Sequence, residues 1–106
     1  MITFVETPLF TRSLRRHLDD DEYRALQLAL LLDPEVGRLI AGSAGLRKLR
    51  WRGTGRGKRG GLRLIYFWIE KRQLCYLLYL YAKNEQGDLT AAQTRTLAQL
   101  ARDELE

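Results

Sequence analysis

The apolar positions of this chain follow two periods, one of helices and one of strands. Residues 2–5 (ITFV) are a short strand-like run. Thr7-Pro8 then marks a helix start: Thr7 can accept from a free amide of the first turn, and Pro8 suits a position whose N–H has no partner anyway. That helix is predicted to end near Leu18. Asp19-x-x-Glu22 has the form of a capping box and opens a second helix over about 20–32, with Tyr23, Leu26, Leu30 and Leu31 on one face. Asp33-Pro34 should stop it, with one more helical turn over 35–40 and a loop at Gly42-Ser43-Ala44-Gly45.

The second half is mostly of strand type. Leu46 to Arg52 (LRKLRWR) predicts a strand, and Gly53 to Gly61 (GTGRGKRGG), with five glycines in nine residues, a hairpin loop. Leu62 to Ile69 (LRLIYFWI) is rich in β-branched and aromatic residues and predicts a second strand of this group. Glu70-Lys71-Arg72 makes a turn into Leu74 to Tyr81 (LCYLLYLY), whose near-continuous hydrophobicity implies burial on both faces. Lys83 to Asp88 reads as a loop, and Thr90 or Asp88 caps a last helix over about 91–105, with Leu97, Leu100, Ala101 and Leu105 at helical spacing. The order β-α-α-β-β-β-α describes an α+β fold of one domain over residues 1–106. Three antiparallel strands form a meander, the first strand joins as an edge, and the N-terminal helices pack on the sheet.

Composition narrows the class. The chain has 106 residues, 45% of them hydrophobic, enough for one modest core. It has no apolar run long enough to span a membrane, and MITFVETPLF lacks the features of a signal peptide. Cys75 cannot form an internal disulfide, and Cys75 with His17 cannot supply a structural zinc site. A cytoplasmic protein with no metal and no cofactor is the expectation, with Cys75 a small buried hydrophobe and His17 exposed beside Arg15 and Arg16.

Charge changes the picture more. The net charge is +5, but residues 1–42 and 73–106 each balance at −2, while residues 43–72 carry ten basic side chains against Glu70, a balance of +9. Such a focused field suits a polyanion such as RNA or DNA, and no basic amphipathic helix points to a membrane surface. Strict alternation puts Lys48, Arg50 and Arg52 on one strand face, Arg63, Ile65, Phe67 and Ile69 on another, and Leu77, Tyr79, Tyr81 and Lys83 on a third. If these coincide, Lys48, Arg50, Arg63, Tyr81 and Lys83 converge. Such a cluster suits RNA phosphodiester cleavage. Arginines can clamp the phosphate, a lysine crowded by cations can act as base, and the attacking 2′-hydroxyl belongs to the substrate, so no metal is required. Tyr81, Trp51 or Phe67 could stack on a displaced base. Arg56, Lys58 and Arg59 read as backbone-phosphate contacts, since GTGRGKRGG lacks the GxxxxGK[ST] pattern of a nucleotide loop. A basic surface of this kind can equally bind RNA without cutting it.

The ordered set Asp33-Pro34, Gly42 and Gly45 ahead of Leu46-Arg47-Lys48, Lys58-Arg59-Gly60-Gly61, Arg63 before Ile65-Tyr66, and Lys83-Asn84-Glu85 resembles the RelE/ParE toxin superfamily, most nearly its HigB-type branch, over essentially the whole chain. The resemblance implies a toxin of a type II toxin–antitoxin pair that cleaves mRNA in the ribosomal A site. It implies a cognate antitoxin of the helix-turn-helix HigA kind as partner beside ribosome and mRNA, and a free toxin that is a monomer. Arg63 matches the family arginine at the start of the third strand that contacts the scissile phosphate. Lys48 and Arg50 match the basic pair that includes the general base, and Lys83 lies in a loop where the family keeps basic residues. Arg47, Arg52, Arg56, Lys58, Arg59 and Asn84 complete the expected RNA-binding set. The chain departs from the pattern at Asn84, where RelE members have an arginine, and at Asp88–Thr90, which lacks their stacking tyrosine; Tyr81 or Glu85 would have to compensate. The ParE branch shares the fold but poisons DNA gyrase, which is the alternative the resemblance leaves open.

Overall fold

The computed structural model describes residues 1–52 and 61–105. Its elements are β1 (Thr3–Glu6), α1 (Pro8–His17), α2 (Asp20–Leu32), β2 (Arg38–Leu39), β3 (Arg47–Trp51), β4 (Leu62–Ile69), β5 (Leu74–Ala82) and α3 (Ala91–Leu105). A single 3-10 turn, Glu70–Arg72, links β4 to β5. The five strands make one mixed sheet in the order β1-β5-β4-β3-β2. The meander β3-β4-β5 is antiparallel, and β1 joins β5 in parallel as an edge.

Local chemistry sets the helix starts. The Thr7 hydroxyl accepts from the Phe10 amide at 2.9 Å, with Pro8 in the first turn. Asp19 and Glu22 form the reciprocal capping box, at 2.7 and 3.1 Å. At α3 it is Thr90 that caps, accepting from the Gln93 amide at 3.0 Å while Gln93 accepts from the Thr90 amide at 2.9 Å.

The sheet is buried on both faces. Phe10, Leu26 and Leu30 of α1 and α2 pack against Leu62, Leu64, Tyr66, Cys75, Leu77 and Leu80. On the opposite face Leu97, Ala98 and Ala101 of α3 meet Leu46, Ile65, Leu78 and Tyr81. The long apolar run of β5 therefore has a partner on each side. A register shift between Ile65 and Tyr66 leaves Leu78 as the extra residue of a β-bulge. The bulge moves Leu77 to the α1/α2 side, away from Tyr79 and Tyr81, which strict alternation had grouped with it. Thr7 secures the spot, donating its hydroxyl to the Leu78 carbonyl at 2.7 Å.

One expected element is different. No helical turn covers 35–40; the chain turns after Asp33 and runs as strand β2 against β3. The Tyr66 hydroxyl accepts from the Gly37 amide at 2.9 Å and donates to the Pro34 carbonyl at 2.8 Å. A Cβ on Gly37 would lie 2.8 Å from the Tyr66 ring, so only glycine lets the turn press this close. Gly45, at φ +113°, closes the β2–β3 hairpin with its α-carbon against the Phe67 ring. Among the described residues no helix is long and apolar enough to cross a membrane.

Candidate nucleic-acid interface

Cross-strand partners in an antiparallel pair share a face, so the register decides which basic residues meet. Arg50 lies opposite Arg63, and Arg63 opposite Tyr81. One step along, Arg38 lies opposite Lys48, Lys48 opposite Ile65, and Ile65 opposite Tyr79. Two parallel rows thus cross the α3 side of the sheet, Arg50–Arg63–Tyr81 and Arg38–Lys48–Ile65–Tyr79. Four of the five expected catalytic residues stand in them.

The rows grade from exposed to buried. Arg38 and Arg50 are exposed on the outer strands, and Lys48 is half-buried. Arg63 is 5% exposed and Tyr81 2%. Arg63 donates to its own strand through the Leu62 carbonyl at 3.3 Å. The Tyr81 ring packs in the α3-side core and stacks on Tyr79 at 5.3 Å between centroids. Its burial removes it as a platform for a displaced base. Its buried hydroxyl has no hydrogen-bond partner among the described residues, and burial, then the nearby Asp88 carboxylate, push its pKa up against the opposing pull of Arg63.

The cluster is not purely cationic. Asp88 sits 3.3 Å from the Lys48 ammonium, so the crowding of Lys48 by cations alone, expected from the sequence, is absent. The Asp88 carbonyl accepts from the Gln86 side chain at 3.0 Å, and the Thr90 cap follows directly, which fixes the loop ahead of α3. Two hollows flank Lys48. One, of about 340 Å³, is lined by Val36, Arg38, Lys48, Leu49 and Arg50. The other, of about 360 Å³, lies between β2 and α3 and takes in Ile40, Ala41, Asp88, Leu89 and Thr94 with Arg38 and Lys48.

The remaining expected residues are scattered. Lys83 and Asn84 are exposed just beyond β5, where the Lys83 amide donates to the Gly61 carbonyl at 3.2 Å. Arg52 is exposed past the end of β3. Arg47 is not in the cluster: alternation turns it to the α1/α2 side, where it donates to the Gly37 carbonyl at 2.8 Å and the Glu35 carbonyl at 3.1 Å. Trp51 and Phe67 are both half-buried, Trp51 against the α1/α2-side core and Phe67 against the α3-side core. Arg56, Lys58 and Arg59 lie outside the described residues. Glu85 is on the α1 side, 2.8 Å from Arg16 and 3.2 Å from His17, which is largely covered there rather than exposed. Desolvation raises the Glu85 carboxyl, but the Ala82 amide, His17 and Arg16 outweigh it and hold the group below the usual carboxylate range. Glu85 is therefore engaged away from the rows.

Arg38 and Asp88 are the residues sequence reasoning missed. The signal for Arg38 was there: Arg38-Leu39-Ile40 and Leu46-Arg47-Lys48 flank a glycine-containing turn, a hairpin pattern. Asp88 carried no local signal, because its meeting with Lys48 spans 40 residues.

No protein-family model matches the chain. Among solved structures, the chain is similar to a double arginine-to-alanine variant of the E. coli toxin RelE in the free state, at 13% identity and TM-score 0.61, covering 94% of this chain and 96% of that one. The isolated E. coli RelE toxin gives 12% identity and TM-score 0.59, with 94% and 99% covered. The intact E. coli RelBE toxin–antitoxin complex gives 15% identity and TM-score 0.57, with 76% of this chain and 95% of that one covered. With this element order, this sheet and these neighbours, the chain has the RelE-like toxin fold.

Proposed function

We propose that this chain is the toxin of a type II toxin–antitoxin pair and an endoribonuclease that cuts mRNA on the ribosome. The observation that carries this reading is the pair of rows Arg50–Arg63–Tyr81 and Arg38–Lys48 on one face of a RelE-like sheet. An exposed arginine, a second exposed arginine and a lysine give a strand of RNA its phosphate contacts. Strands hold these groups more rigidly than a loop would.

In the proposed reaction the 2′-hydroxyl of one nucleotide attacks its own 3′-phosphate. Its proton leaves, the P–O bond to the next nucleotide breaks, and that 5′-oxygen takes up a proton. The products are a 2′,3′-cyclic phosphate and a free 5′-hydroxyl. Arg50 and Lys48 reach the surface and can touch the phosphate. Arg63 acts from beneath, where its guanidinium offsets the growing negative charge in a less screened setting. Lys83 sits at the end of the sheet where the leaving strand would pass. By analogy with the RelBE neighbour, a cognate antitoxin would neutralise the chain. An antitoxin of the HigA kind with acidic segments fits the +9 stretch of residues 43–72. The free toxin is proposed to be a monomer working in the cytoplasm.

The test is purified protein added to ribosomes programmed with a defined mRNA, read by primer extension. Breaks at fixed codon positions are expected, falling about 100-fold or more for Arg50→Ala and Lys48→Met. RNA binding without breaks would leave a binding module. DNA breaks with intact mRNA in induced cells would instead point to gyrase poisoning.

A further inference from the structure

We infer that Glu85 and Gln86 are positioning residues: they fasten the loop between β5 and α3 to the helices on both sides of the sheet, and so hold Lys83 and Lys48 in place for RNA. The inference rests on the RNA reading above and goes beyond it in naming what fixes two of its cations.

Arg50 and Arg63 stand on strands, but Lys83 stands on a loop, and the Lys48 ammonium ends a flexible four-carbon stem. A wandering cation contributes little to a reaction in which a displacement of about 1 Å can cost about 100-fold. Backbone bonds hold the start of the loop. The Lys83 amide donates to the Gly61 carbonyl at 3.2 Å, and the Glu85 and Gln86 amides donate to the Ala82 carbonyl at 3.0 and 3.2 Å. Side chains fasten it further.

Glu85 and Gln86 reach opposite ways. The Glu85 carboxylate meets the C-terminal end of α1, with Oε2 2.8 Å from Arg16 and Oε1 3.2 Å from His17. Oε1 also accepts from the Ala82 amide at 3.4 Å. Gln86 turns to α3. Its side-chain N–H donates to the Gln93 side-chain oxygen, which also accepts from the Thr90 amide at 2.9 Å, so Gln86 is tied to the cap of that helix. The same N–H group donates to the Asp88 carbonyl at 3.0 Å, and the Gln86 oxygen accepts from the Tyr79 hydroxyl at 3.4 Å. Asp88 in turn sits 3.3 Å from the Lys48 ammonium. Two chains of contact result. One runs from α1 through Glu85 to the turn that carries Lys83. The other runs from α3 and β5 through Gln86 to Asp88 and Lys48. An isolated exposed ion pair does little for stability. Here one carboxylate gathers three partners, and what it governs is where the neighbouring cation stands.

The experiment is single-turnover cleavage of a defined mRNA on programmed ribosomes, run as two double-mutant cycles. Glu85→Ala should slow cleavage about tenfold in the native background and less than about twofold in a Lys83→Met background. Gln86→Ala should behave in the same way, with Asp88→Ala as its background. Glu85→Gln, which keeps an acceptor but loses the charge, should lie between native and Glu85→Ala. Residues that only stabilise the fold would impose the same penalty in both backgrounds, which would overturn the inference. Native rates for both alanine variants would overturn it as well. If an alanine variant unfolds, Glu85→Gln or Gln86→Glu takes its place in the cycle under the same criteria. Native chain that leaves the mRNA whole would overturn the RNA-cutting reading itself.

Discussion

Arg47 and Arg50 show how far strand geometry separates like residues. They are three positions apart in one strand, and alternation sends them to opposite faces. Arg47 ties the carbonyls of Glu35 and Gly37, and with Tyr66 it holds the turn that makes β2 possible. Arg50 is exposed, and among the described residues it makes no ion pair. Their substitutions should therefore part company. Arg47→Met leaves the part-buried Gly37 carbonyl without this partner, which costs about 1–3 kcal/mol, and it should leave the salt dependence of RNA binding unchanged. Arg50→Met should hold stability within about 0.5 kcal/mol, and it should reduce the slope of log K against log salt by about 0.7. Urea titration and binding at several ionic strengths measure the two effects. The same slope change in both variants would mean that Arg47 also contacts RNA.

At the scale of elements, Thr7 does two jobs with one hydroxyl. It accepts from Phe10 to start α1 and donates to the carbonyl of Leu78 at the β5 bulge. Thr7→Val keeps the shape and removes both bonds. A lost cap costs about 1 kcal/mol and a buried carbonyl left unpaired about 1–3 more, so chemical denaturation should show a loss of about 2–4 kcal/mol, with Thr7→Ser near native. The double role also marks what was legible beforehand. The cap at Thr7, the box at Asp19 and the strands at 62–69 and 74–81 were readable, because each depends on residues within a few positions or on a plain apolar run. The bulge was not, because it exists only where β5 meets β4. Strand β2 was misread as helix for a similar reason: Gly37 and Arg47 act on it through Tyr66 and the turn, 10 to 29 residues apart. In the candidate site, alternation could group Lys48 with Arg50, but the register that sets Arg63 opposite Arg50 is a property of the folded sheet. Tyr81 could be placed in the row but not foreseen as buried, because α3 covers it, and Asp88 arrives through a loop whose position no strand pattern dictates.

Over the whole molecule, burial has gathered weak acids into the core. Burial raises Cys75 from its ordinary value near 9 to about 12. Burial likewise raises Tyr66 from near 10 to about 12, outweighing its hydrogen bond from Gly37. Burial, with the Glu6 carboxylate that accepts the Tyr23 hydroxyl at 2.6 Å, pushes Tyr23 up as well. All three are neutral when protonated, and the unfolded chain loses these protons first as pH rises. Folded pKa values above the unfolded ones therefore give stability that is complete below about pH 9 and erodes toward pH 12. Urea midpoints should stay level from pH 7 to about 9 and then fall, and Cys75→Ala should flatten the first part of the fall. The same burial should keep Cys75 unreactive toward a thiol reagent at pH 8 until urea unfolds the chain. A native chain that is labelled rapidly at pH 8 would show that the sheet between α1 and α3 opens far more readily than its packing implies.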